Sequence, residues 1–395
     1  MRETLHLSTS KLIAGINVAC LGMLVYLAGL LPLSNFDTYL VRSSYVASGG
    51  SGTIPLETLS RNLLLAPSLP GYQERLTAEL YVNSQRVDFT VGVNEDGNEF
   101  PSVTLNYSHA INITLIQRVA VYRASFRSFF NTMVNPPWPL HSADKLPGNS
   151  FWRCNGTGVK LTSIERISDE LASEAKNPVD YAYRIVEWLN AHNIRYEQSF
   201  GGGVMCPSIF LETGRGACGE YASFIAALFK FRGIKSYVYY ALIQDSRALI
   251  TLNSSRSTFI IRGAYPHMFT VVEIENSRVP IDATANAGDP VRGAAAVSLD
   301  NVIIVYRVSN SDPNDYLLLY APNNEAKVSL SVEVSRENLA GTQLGVDVLA
   351  GFLAITLLLL GKKWDPAGER DQGLCVAVAY RRNFPQNGHI MCKSP

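Results

Sequence analysis

The sequence predicts an α+β fold, flanked by a β-rich region and held to a membrane by two transmembrane helices. Three observations carry this. Long apolar runs lie near both ends, Val, Ile, Thr, Tyr and Phe crowd the stretch from Arg75 to Ser128, and helical periodicity followed by strand alternation fills the stretch from Asn177 to Ala283. With 395 residues there is room for about two to three folded units. Charged residues make up 17%, below the usual quarter or so, and 34 basic side chains balance 34 acidic ones. A nucleic-acid binder working through a basic surface is therefore excluded, as is an acidic solvating chain. The 47% of apolar residues suffices for a packed core.

The first apolar run, Leu12 to Leu33, has no charge between Lys11 and Asp37. As a helix it is about 33 Å long, enough for a hydrocarbon core of about 30 Å. A cleaved signal peptide has an apolar stretch of only about 7–15 residues and a small-residue cleavage site, so an uncleaved anchor fits better. The second run, Leu344 to Gly361, carries Asp347 near its start and ends at Lys362, Lys363 and Trp364. The run Leu357-Leu358-Leu359-Leu360 leaves no polar face, which argues against a surface helix. Arg2 and Lys11 precede the first run, and Lys362, Lys363, Arg370 and Arg381 follow the second. Both ends are thus expected in the cytoplasm, with residues 34–343 outside. The acceptor triplets at Asn106, Asn112, Asn155 and Asn253 all fall in that outer part.

The expected organisation is a cytoplasmic N-terminus (1–11), an anchor (12–33), an extracytoplasmic β-rich region (34–150), a catalytic region (151–300), a β-rich extension (301–343), a second transmembrane helix (344–361) and a cytoplasmic tail (362–395). Gly49-Gly50-Ser51-Gly52 reads as a flexible link, Asn94–Asn98 as a turn, and Asn135-Pro136-Pro137-Trp138-Pro139 as a boundary. Asn177-Pro178 opens one helix, with Tyr181, Ile185, Val186 and Leu189 on its apolar face. A second, strongly apolar helix is expected from Cys218 to Phe231, stopped by Gly233. Antiparallel strands are expected at Ser236–Ile243, His267–Ile274, Arg278–Ala283, Val302–Val308, Tyr316–Tyr320 and Val328–Val334. The stretch between Ile243 and His267 reads as a long loop lining a cleft.

Of six cysteines, Cys20 falls in the first span and Cys375 and Cys392 in the tail, leaving Cys154, Cys206 and Cys218 outside. Cys218 follows the turn Gly214-Arg215-Gly216-Ala217 and begins the apolar helix. Unpaired amides and the helix dipole there favour a thiolate and could hold an oxyanion. Taken alone, Cys218 could equally be a small buried residue, as most free cysteines are. His267 opens a strand and Asp282 ends the next. A turn at Glu275-Asn276 sets Asp282 opposite Phe269, diagonal to His267, whereas a turn at Asn276-Ser277 moves them one step apart. Either turn puts both side chains on one face, where a carboxylate can orient an imidazole. A metal site at Cys206, Cys218 and His267 is weaker, because it lacks a CxxC pair and a fourth ligand.

Together these residues resemble the transglutaminase-like superfamily, thiol enzymes of papain-like lineage. The resemblance spans about residues 178–290. It rests on Gly214-Arg215-Gly216-Ala217-Cys218-Gly219-Glu220-Tyr221-Ala222, on His267-Met268-Phe269 with Glu273, and on Ile281-Asp282-Ala283-Thr284. Phe269 stands where many members have Trp, and Ala283 where Pro is usual. The resemblance implies a papain-like core with Cys218 as nucleophile, His267 as base and acid, and Asp282 as orienter. With Cys218 free, Cys154 and Cys206 are the expected bridge, although both could be buried thiols. The implied activity is attack on amide bonds of a protein, peptide or cell-envelope substrate, through a thioester resolved by water or by an amine. Hydrolysis is preferred, since nothing marks an amine site. The alternative is an inactive cell-surface scaffold on the same fold. No cofactor and no nucleic-acid partner is expected, no calcium loop is present, and the membrane is contacted through the two spans.

Overall fold

The computed structural model describes residues 36–70, 72–122, 146–155, 161–197, 203–274, 277–284 and 301–337. Among them no helix is long and apolar enough to cross a membrane. The expected spans at 12–33 and 344–361, the boundary at 135–139, and Cys20, Cys375 and Cys392 lie outside the described residues.

In β1 (Phe36–Thr53), Tyr39, Val41, Tyr45 and Ala47 are buried at the spacing of a strand with one face on a core. β1 pairs antiparallel with β6 (Asn106–Tyr122) on one side and with β13 (Lys327–Glu337) on the other, Thr38 lying opposite Glu337. Gly49-Gly50-Ser51-Gly52 is not the flexible link that its composition suggests. The ladder shifts register between Ser48 and Ser51, then resumes to Thr53 opposite Asn106. Backbone pairing with β6 thus overrides the local glycine signal.

The β-rich reading of the next stretch holds. After the short helix α1 (Leu56–Asn62) come β2 (Gln73–Val82), β3 (Gln85–Val87), β4 (Thr90–Val93) and β5 (Glu99–Ser102). The Asn94–Asn98 turn joins β4 to β5, closed by Asn94 N–H on Asn98 O at 3.0 Å. Buried Asp96 in that turn accepts from the backbone N–H groups of Ser309 (2.8 Å), Asn310 (2.8 Å) and Ser311 (3.3 Å), and from the hydroxyls of Tyr316 (2.7 Å) and Ser311. This hub explains one departure from expectation. Tyr316–Tyr320 is not a strand: Pro313–Tyr316 forms a 3₁₀ turn capped by Asp312, and Tyr316 is tied to Asp96.

A helical layer follows, made of α2 (Ser150–Arg153), α3 (Thr162–Glu174), α4 (Pro178–Ala191), α5 (Pro207–Thr213) and α6 (Cys218–Phe231). Asn177 caps α4 by accepting from the N–H groups of Val179 (3.0 Å) and Asp180 (2.9 Å), with Pro178 in the first turn, as its sequence predicts. α6 also has its predicted bounds, and it is buried from Gly219 to Phe231. It packs on β9 (Lys235–Asn253) and β10 (Ser257–Ile274), fixed by Ser236 Oγ on Ala226 O (2.8 Å) and Thr270 Oγ1 on Ala222 O (2.7 Å).

The main sheet runs β12 (Val302–Val308), β9, β10, β13, β1, β6, β2, β3, and β11 (Ser277–Ile281) pairs with the far half of β10. Contrary to the all-antiparallel expectation, β10 and β13 are parallel, Ser257–Arg262 alongside Val328–Glu333. The changeover in β10 falls at a bulge between Arg262 and Ala264. Gly263 sits there at φ +75°, where a Cβ would lie 2.0 Å from Val334 O, so no other residue fits. The expected loop after Ile243 is likewise absent. β9 and β10 continue through it as a hairpin arm, with Leu252 opposite Phe259 and Ile250 opposite Ile261.

Candidate active site

The site is assembled from the start of α6 and the β10–β11 hairpin. β8 (Arg215–Gly216) pairs in parallel with β7 (Arg195–Tyr196) and delivers Ala217 as the helix cap, making Cys218 the first helical residue. Glu220, buried in the first turn, accepts from Ala217 N–H at 2.8 Å and from Met205 N–H at 3.1 Å. One carboxylate thus locks the cap and ties it to the preceding segment. Gly219 allows the close approach of that segment, for a Cβ there would lie 2.7 Å from Val204 Cγ2. A disulfide joins Cys154 to Cys206 (Cα–Cα 5.6 Å), and Cys218 is free and partly exposed. The expected bridge is therefore present. It also removes Cys206 from any metal set.

The β10–β11 turn takes the first of the two registers. Ile274 faces Ser277 and Thr270 faces Ile281, which carries Asp282 opposite Phe269 and diagonal to His267. His267 Nε2–H donates to Asp282 Oδ2 at 2.6 Å, and the imidazole hydrogen-bonds the Cys218 side chain as well. Asp282 is further held through Oδ1 by Thr284 N–H (3.0 Å) and Thr284 Oγ1 (2.7 Å). The three residues singled out in the sequence therefore meet at one point.

The electrostatics follow from this arrangement. Burial opposes a charged imidazole, but hydrogen bonds to Asp282 and Cys218, and then their charges, outweigh it and lift the His267 pKa well above the usual imidazole range. Burial likewise pushes the Asp282 carboxyl up, while His267 and Thr284 hold it below the ordinary carboxylate value. The ring is thereby kept protonated and oriented beside the sulfur.

A cleft of ≈ 160 Å³ opens over Cys218 and His267. Two tyrosines in its wall are not evident from sequence. Tyr240 is buried and stacks on Tyr306 at 4.6 Å. Burial, then the charge of Cys218, raises its pKa, so it stays a donor. Tyr196 is half-exposed, and burial followed by the charges of Cys218 and Asp282 pushes its pKa up to about 12. Nothing in the run Tyr237-Val238-Tyr239-Tyr240 says which ring faces the sulfur; the pairing of Tyr240 with Met268 decides it. Glu220, by contrast, had a signal, an acid three residues after the cap.

A papain-like arrangement of helix-borne thiol and strand-borne imidazole defines the class of the fold. The family model of the transglutaminase-like superfamily matches residues 165–283, and this part of the chain is a transglutaminase-like domain. No curated protein matches the chain. Similar solved structures include a candidate cysteine protease from Cytophaga hutchinsonii, 12% identical, covering 77% of this chain and 92% of that one, with a TM-score of 0.46. A candidate protease from Parabacteroides distasonis is 12% identical over 71% of this chain and 62% of that one, with a TM-score of 0.28. A structure described as a TGase is 14% identical over 48% and 44%, with a TM-score of 0.25.

Proposed function

We propose that the chain is a membrane-anchored thiol enzyme that hydrolyses amide bonds on the outer side of the membrane. The observation that carries this reading is the imidazole of His267 held between a free Cys218 and a buried Asp282. The Cys218 sulfur attacks the amide carbonyl carbon while its proton resides on His267. The Cys218 N–H at the head of α6 and the Tyr240 hydroxyl receive the negative oxygen. His267 then gives its proton to the departing nitrogen, the C–N bond breaks, and an acyl thioester remains. Water, deprotonated by His267, attacks the thioester carbon, and the C–S bond breaks to release a carboxylic acid. Asp282 keeps the ring in the productive tautomer and balances its charge.

Hydrolysis is preferred to cross-linking because no free carboxylate is present among the described residues lining the cleft to hold an amine donor, Glu220 being engaged by two backbone N–H groups. The apolar runs at 12–33 and 344–361 support the anchoring. Intact cells treated with a membrane-impermeant iodoacetyl reagent should be labelled at Cys218, and Cys218→Ala should lose both the label and peptide-amide hydrolysis. Hydrolysis that survives Cys218→Ala would overturn the mechanism. Labelling only after permeabilisation would overturn the outward placement.

A further inference from the structure

The walls of the cleft beside Cys218 also constrain what can occupy it. Among the described lining residues there is no Lys, Arg or Asp. The single carboxylate, Glu220, is engaged by the N–H groups of Ala217 and Met205, and His267 is committed to Asp282 and Cys218. A charged substituent entering here would lose water and find no free countercharge among the described residues.

Apart from Cys218 and the hydroxyls of Tyr196 and Tyr240, the rest of the wall is mainly apolar. Leu252 and Phe259 are cross-strand partners on the hairpin arm, as are Ile250 and Ile261, and partners of this kind share a face. All four line the cleft, and three of them remain partly exposed. The arm is not free to fold away, because Ser257–Arg262 of β10 is paired along β13. Leu317 and the 60% exposed Leu318 add to the rim. They follow Asn314, whose side chain accepts from Val204 N–H at 2.6 Å and donates to Val204 O at 3.0 Å. Apolar side chains held partly open on fixed elements next to a reactive sulfur form a surface waiting for an apolar group.

We propose that the cleft receives the acyl portion of the substrate through an apolar chain of about four to six carbons, and that Ile250, Leu252, Phe259, Ile261, Leu317 and Leu318 select it. This rests on the thiol-enzyme reading above and adds the substrate class to it. The size comes from the cavity. At ≈ 160 Å³ it is close to the ~150 Å³ engineered cavity that takes up benzene. The acyl side is assigned because the acyl group stays bonded to Cys218 after the leaving group departs.

The test uses p-nitrophenyl esters of acetate, butyrate, hexanoate, decanoate, glutarate and N-acetyl-leucine with the full chain. kcat/KM should rise about fourfold per added methylene up to hexanoate and then level off, with the charged glutaryl ester below butyrate. A faster N-acetyl-leucyl ester than hexanoate assigns the chain to an amino-acid side chain, and the reverse assigns it to a fatty acyl group. In Leu252→Lys, and independently in the surface variant Leu318→Lys, the hexanoate-to-acetate ratio should collapse towards one, while rapid iodoacetamide uptake by Cys218 at about pH 6, where an ordinary thiol of pKa about 8.5 reacts slowly, reports that the site has folded. A flat chain-length series in the unaltered protein, a preference for glutarate, or an unchanged ratio in both variants would overturn the proposal. Equal hydrolysis of every ester by Cys218→Ala would instead sink the thiol-enzyme reading itself.

Discussion

Asp96 and Asp282 are almost equally hidden from solvent, 3% and 2% exposed, yet their surroundings differ in kind. Asp96 is wrapped by three backbone N–H groups and two hydroxyls. Burial opposes its charge, and the donors of Ser311, Asn310, Tyr316 and Ser309 outweigh that and hold its pKa below the ordinary value. Asp282 has Thr284 on one oxygen and the titratable ring of His267 on the other. The lesson concerns partners more than depth. A carboxylate held by fixed donors stays charged and joins parts of the fold. One that faces an imidazole passes its influence on to whatever the other edge of the ring touches.

The same truncation should therefore give opposite readouts at the two positions. Asp282→Ala should lower kcat/KM by about 10²–10⁴-fold, measured on any amide or ester that the unaltered protein turns over. A loss below tenfold would remove Asp282 from the mechanism. Asp96→Ala should cost about 3 kcal/mol in urea unfolding, because it strands buried donors on Ser309, Asn310, Ser311 and Tyr316. Its folded fraction should still take up iodoacetamide at Cys218 at nearly the original rate. A stability close to that of the unaltered protein would mean that water replaces the carboxylate and that the hub is dispensable.

The smallest effect is one of pH. The His267 pKa is raised and the Asp282 pKa is lowered. The contribution of the pair to stability is therefore whole between the ordinary carboxylate and imidazole values, about pH 4 to 6.5. On the acid side it fades as pH falls through the depressed Asp282 value. On the alkaline side it fades as pH rises through the elevated His267 value, and with it goes the proton needed by the leaving amine. In Asp282→Asn the alkaline limb of kcat/KM should move to lower pH, because the ring keeps its hydrogen bond but loses the facing charge. A limb that stays in place would assign the elevation to Cys218 alone.

Much of this arrangement is legible before any coordinates. The bounds of α6 follow from a strongly apolar stretch closed by Gly233, those of α4 from Asn177-Pro178, and the disulfide from the parity of the outer cysteines together with a free Cys218. The pairing of His267 with Asp282 is legible up to a choice between two turns, and their meeting with Cys218 only through the resemblance to the transglutaminase-like superfamily. The rest depends on distant pairing. Asp245-Ser246-Arg247 looks like a loop and falls in the register shift between Gln244 and Leu249, but β9 and β10 resume their pairing beyond it, with β13 alongside. Tyr316 looks like strand, but Asp96, far away in sequence, holds it in a turn. The role of Tyr240 needed the register, which no local pattern contains.

The pairing of Thr38 with Glu337 means that the polypeptide enters this domain at the same corner from which it leaves. Arg336 on Asp37 at 2.5 Å and Arg118 on Glu337 at 3.0 Å clasp that corner. Tension applied between Phe36 and Glu337 would consequently load the ladder from its end, peeling rungs one at a time like a zip, where a shearing pull would have to break them together. The two clasps are the first contacts such a force would meet, and the hairpin arm and sulfur lie beyond them.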